Sequence, residues 1–123
     1  MPGRAAALRL RVLERGEVLL RRLALNDEGA VQAVLAPDAA PPRVPVLDAK
    51  THALVRLGAL LAGDAETTSL RWMTELAYEA GATDDDIVGV LVAIGPSVGL
   101  AGLVREAPRL ALAIGYDIDD LAS

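Results

Sequence analysis

Between residues 48 and 62 the apolar positions Leu54, Leu57, Gly58 and Leu61 recur at i, i+3, i+4 and i+7. That spacing lays one buried stripe along an α-helix. Asp48 stands where a capping side chain is needed, and Gly63 stands at the exit. The same period over 65–80 puts Leu70, Met73, Ala77 and Ala80 on one side and Arg71, Glu75 and Glu79 on the other. Gly81 reads as a stop. Thr83 followed by Asp84, Asp85 and Asp86 reads as a new start: a cap, then acids where the helix dipole favours negative charge. From Ile87 to Val104 eighteen residues carry no charge. Pro96 is expected to divide them into helices 84–95 and 97–105, each apolar all round because it is buried on every side. Pro108 is expected to open a last helix through Ala113, closed by Gly115, before the acidic tail IDDLAS.

Upstream, residues 5–25 read as an Arg- and Leu-rich helix with a soft spot at Gly16, and Asn26 or Asp27 as the cap of a short helix to about Leu35. The stretch from Pro37 to Pro45 holds four of the seven prolines and is neither helix nor central strand. The expected organisation is therefore an N-terminal helical arm with its Pro-rich linker, 1–46, and a helical core, 47–123. With no strand-period segment of useful length, the fold class is all-α, a small antiparallel bundle of about six helices.

Composition sharpens this picture. Apolar residues make up 53% of the chain but aromatics only 2%, so the core is built from Ala, Leu, Val and Ile, which favours close helix–helix packing. The absence of cysteine excludes disulfides, thiolate metal sites and thiol-based redox chemistry. One His leaves no multi-histidine metal site within one chain, and neither a metal nor a cofactor is expected. The net charge of −5 argues against a nucleic-acid partner. It is unevenly placed, +4 over residues 1–25 and −9 over the rest. The basic segment reads as a solvated helix face, and no secretory signal is expected, which leaves a cytoplasmic location. The 87–104 run reaches the length threshold of a membrane span, yet its glycines, Pro96 and missing aromatic belt argue against one. Two helices apolar on every side exceed what so small a domain buries alone, so a homo-oligomer whose interface continues the core is expected.

Candidate chemistry is sparse. His52 lies four residues from both Asp48 and Arg56 on one helix, so it is either a general base or a solvated imidazole held by a carboxylate. Glu66, Glu75 and Glu79 share the next helix. Paired carboxylates can raise one pKa and yield a general acid, although Arg71, four residues before Glu75, suits a surface ion pair. Trp72, the lone Trp, reads as core or interface before substrate platform. GPSVGLAG lacks the lysine of a phosphate loop, and no strand precedes it.

The segments LDAKTHALVRLGALLAG (47–63) and RWMTELAYEAGATDDDIVGVLVAI (71–94), above all AYEAGATDDDIVGVL (77–91), resemble the carboxymuconolactone decarboxylase-like family of the alkylhydroperoxidase D-like superfamily. The resemblance covers about 47–117 and leaves the N-terminal arm outside. It implies an antiparallel helical fold assembled as trimers or hexamers. A family His falls eight residues before the Gly of the GAT triplet, and here that position is Met73. The peroxidase branch places two cysteines four and seven residues before that His, and here they are Ser69 and Glu66. Its preceding acidic residue falls at about Ala53. Peroxidase chemistry is excluded, since a thioether has no proton to exchange and a hydroxyl does not replace a peroxide-reactive thiolate.

Two functions follow as expectations. One is a cofactor-free lyase or isomerase on a small carboxylated or lactone compound, with Glu75, Glu66, Ser69 and His52 as acid–base candidates. Trp72, Met73 and Tyr78 would then line the cavity, and Arg56 or Arg71 would hold the substrate carboxylate. The other is a non-catalytic oligomeric binding or scaffold protein, its pocket empty or taking an apolar ligand.

Overall fold

The computed structural model describes residues 16–35 and 46–116. Contacts divide the chain into two units, Met1–Val46 and Leu47–Ser123. In the first, residues 16–24 are helical (α1), and a turn through Asn26, at φ 58, leads to α2, Glu28–Leu35. Asp27 rather than Asn26 caps α2: its Oδ2 accepts from the Ala30 amide at 3.0 Å and pairs with Arg22 at 2.7 Å. The expected helix over 5–15 and the linker from Pro37 to Pro45 lie outside the described residues.

The second unit holds α3 (Ala49–Ala62), α4 (Thr67–Glu79) and α5 (Asp84–Ile114), and each packs against the other two. Every described element is helical. Asp48 caps α3 through the Thr51 amide at 2.8 Å. Thr83 and Asp86 cap α5 reciprocally: the Asp86 amide donates to Thr83 Oγ1, and the Thr83 amide donates to the Asp86 carboxylate. Leu57, Leu61, Leu70, Met73 and Ile87 are fully buried at the centre, each contributing about 1.5–3 kcal/mol of hydrophobic stabilisation. Leu54, expected on the buried stripe, is half-buried, and Ala53 takes the inner position instead.

The break in the long apolar helix is at Gly99 and not at Pro96. Gly99 has φ 74 and ψ −177, a conformation open essentially to glycine alone. It divides α5 into arms 84–98 and 100–114. Pro96 stays within the helical turns of the first arm, and Pro108 lies inside the second instead of opening a separate helix. Both prolines are exposed, so the carbonyls that they deprive of a donor lie on the solvent side. The arms fold back on each other. Tyr116, just beyond the end of the second, reaches Asp84 at the start of the first (3.5 Å), and a Cβ on Gly95 would meet Leu103 at 3.7 Å. At the bend a Cβ on Gly102 would lie 2.7 Å from that of Val98, so this second glycine is needed for close approach. Two ion pairs tie the arms to α3: Lys50 at its start pairs with Asp86 in the first arm at 3.0 Å, and Asp64 beyond its end pairs with Arg109 in the second arm at 2.9 Å. Burial on every side does not hold. Only 17% of the most apolar window of α5 is buried.

Candidate functional site

Helices α3 and α4 run antiparallel and leave a pocket of about 330 Å³ between them, lined by Ala49, His52, Ala53 and Arg56 from α3 and by Met73, Leu76, Glu79 and Ala80 from α4. The helical period explains the convergence. His52 and Arg56 are one turn apart on the exposed flank of α3, whose neighbouring Ala53 and Leu57 enter the core. Met73, Leu76 and Ala80 follow i, i+3 and i+7 along α4, with Glu79 at the edge. Met73, 2% exposed, belongs to the buried core as well as to the pocket lining.

Three of the nine site candidates therefore share one pocket: His52, Arg56 and Met73. The rest do not. Glu66 stands before the first turn of α4 without making a side-chain cap bond, and Ser69 is half-buried in that turn. Arg71, Trp72 and Glu75 are exposed and do not line this pocket, although Trp72, 56% exposed, shares the i, i+4, i+7 row of α4 with Leu76 and Glu79. As single-chain core, Trp72 does not qualify. Among the described residues Arg71 and Glu75 form no ion pair, and the Asp48 carboxylate binds the Thr51 amide and hydroxyl, not His52. Tyr78 is tied to Asp84, its hydroxyl donating to Oδ1 at 2.5 Å. Burial, and then that carboxylate, push the phenol up to about 12, so it stays protonated at neutral pH. Glu79, read from the sequence only as half of a carboxylate pair with Glu75, is the acid that reaches the pocket. The signal for it was its position beside the Met73–Leu76–Ala80 stripe.

Sequence reasoning missed the most buried carboxylate. Glu106 is fully buried and accepts from Arg105 at 3.1 Å and from Arg109 at 2.9 and 3.1 Å. Arg109 also binds the Ala65 carbonyl and Asp64, and Asp64 holds the left-handed turn after α3 at φ 55. This network ties the second arm of α5 to the α3–α4 turn. Held by two arginines and lining neither the pocket between α3 and α4 nor the groove between α3 and α5, Glu106 is a structural fastening.

A second concavity, of about 460 Å³, runs between α3 and the first arm of α5, with Leu54, Val55, Gly58, Ala59, Val90 and Ile94 among its lining. It is almost wholly apolar. Among the described residues no group of three His, Asp or Glu side chains could hold a metal ion. No family model, curated protein or solved structure matches this chain.

Proposed function

We propose that the chain is a non-redox carboxymuconolactone decarboxylase-like protein of the alkylhydroperoxidase D-like superfamily, assembled as a homo-oligomer, trimeric or hexameric, and cytoplasmic. It acts as a cofactor-free lyase or isomerase on a small carboxylated or lactone compound. Support for the family comes from the 77–91 motif, which forms the α4–turn–α5 junction, and from the all-helical architecture. The observation that carries the functional reading is the convergence of His52, Arg56 and Glu79 around the Met73 side of one pocket. Arg56 offers a planar guanidinium for a substrate carboxylate. His52 is the acid–base group: its imidazole takes a proton from the carbon beside a lactone carbonyl and returns it further along the conjugated chain. Glu79 supplies the counter-charge for the imidazolium so formed. Met73 carries no exchangeable proton, so the position of the family His contributes shape alone.

The test is turnover of a panel of lactone carboxylic acids by the wild type, His52→Gln and Arg56→Ala. The reading expects turnover by the wild type, its loss in His52→Gln, and a raised KM in Arg56→Ala. Turnover that survives His52→Gln overturns the assignment. A second reading, a non-catalytic binding or scaffold protein that kept the fold, is favoured by one observation: Glu66 and Glu75 are exposed away from the pocket, and the buried Glu106 is fastened by arginines. Binding of panel members without turnover of any would select it.

A further inference from the structure

We infer that the face formed by the two arms of α5 and the adjoining α3 groove is where a second copy of this chain docks. The proposal rests on the homo-oligomer reading and names the surface that serves it. In the first arm Val88, Val92 and Pro96 stand one turn apart on the outer side. In the second, Leu100, Val104, Pro108 and Leu112 make a parallel ridge. Val92 is 70% exposed, Leu100 79% and Val104 67%. On its other side the first arm gives Val90, Ala93 and Ile94 to the apolar groove it shares with α3, where Gly58 lets the two helices approach closely. Groove and ridges are thus one continuous apolar surface, three helices wide.

Size and charge point to a second copy. Fifteen-residue arms are about 22 Å long, and neighbouring helices lie about 8–10 Å apart, so the face projects on the order of 600 Å² and more in accessible area. That is at or above the largest apolar patch of an ordinary monomer, about 300–600 Å², and near the ~800 Å² per partner of a stable interface. The face combines a ridge with a groove, so two copies supply each other's complement. Its rim carries both signs, the exposed Asp85 at one end and the exposed Arg105–Asp64 pair along one edge, which suits a like partner better than a uniformly anionic lipid surface.

The test is sedimentation velocity and light scattering on the full chain over a concentration series. It compares the wild type with Val92→Glu, Val104→Glu and Ala59→Glu, with helix content followed by circular dichroism. All three positions are exposed, so the protomer fold is retained. The expected result is an oligomeric wild type and, for the ridge variants, a dissociation constant raised roughly thirtyfold or more, the effect of losing a central interface side chain. A wild type that stays monomeric overturns both the oligomer and the surface. An oligomer unchanged in all three variants overturns the surface alone. Co-flotation of the wild type with phosphatidylcholine–phosphatidylglycerol vesicles, abolished by Val104→Glu, would instead assign the face to lipid and overturn the proposal.

Discussion

Substituting Gly99 by Ala tests the helical hairpin with a single methyl group. Nothing lies within 4 Å of the position a Cβ would take there, so the change meets no neighbour and its whole effect comes from the backbone. At φ 74 and ψ −177 an alanine is confined to a region used almost only by glycine, at a cost of about 1–3 kcal/mol. Gly89 supplies the control. It is exposed, lies within the helical turns of the first arm, and also has nothing within 4 Å of its Cβ position. There the same substitution removes unfolded-state freedom and stabilises by about 0.5–1 kcal/mol. Two chemically identical changes ten positions apart are therefore expected to act in opposite directions, separated by roughly 1.5–4 kcal/mol. In a core of this size each kcal/mol moves Tm by about 4–8 °C. Urea and thermal unfolding of the wild type and both variants, followed by far-ultraviolet circular dichroism, read the difference. A Gly99→Ala variant as stable as Gly89→Ala would mean that α5 is a straight rod, and the hairpin would be wrong.

The hairpin also bears on the membrane question. By length and composition α5 could cross a bilayer, but each arm alone spans about 22 Å, short of a hydrocarbon core of about 30 Å.

Glu106→Ala removes the fully buried partner of Arg109, which keeps Asp64 and the Ala65 carbonyl, and is expected to cost about 1.5–3 kcal/mol in urea unfolding, against less than 1 for the exposed Glu75→Ala; equal losses would refute the fastening role. The carboxyls of Asp48 and Asp86 are held below their ordinary 3.8, Asp48 by the Thr51 amide and hydroxyl, Asp86 by the Thr83 amide and Lys50. A depressed folded value means stability that is present above 3.8 and lost as pH falls through the lower one, so the acid limb of a Tm–pH curve should flatten in the Asp48→Asn, Asp86→Asn double variant; an unchanged limb would refute it. In Tyr116→Phe, the tyrosinate absorbance of the remaining Tyr78 should rise near pH 12, because its raised folded pKa protects the neutral phenol. The associated stability is complete below about 10 and lost as pH climbs through 12. A midpoint near 10 in the folded protein would contradict the Tyr78–Asp84 bond.

Local signals in the sequence carried far. Asp48, Gly63, Thr83 and Gly115 mark helix ends because capping chemistry is confined to a few adjacent residues. The buried stripe of α4 was legible as spacing alone. Pro96 misled because a proline on the exposed side of a helix loses one hydrogen bond and no packing, whereas Gly99 owes its role to a reversal that only tertiary contacts such as Tyr116 with Asp84 reveal. In the same way, i, i+4 spacing put His52 and Arg56 on one flank, but which acid of α4 faces them depends on how α4 is rotated against α3. That rotation favours Glu79 over Glu75. The Glu106 network was invisible for a like reason: its partner Asp64 is more than forty positions away along the chain.

The chain holds a single histidine, so one imidazole Hε1 resonance reports on the α3–α4 pocket with no ambiguity of assignment. Titrating the lactone acids into the labelled protein should shift that resonance saturably, and Arg56→Ala should weaken the response by tenfold or more, as expected for the loss of a charge-assisted hydrogen bond of about 1.5–3 kcal/mol. An imidazole signal that stays fixed while a lactone acid binds elsewhere on the protein would contradict the assignment of this pocket.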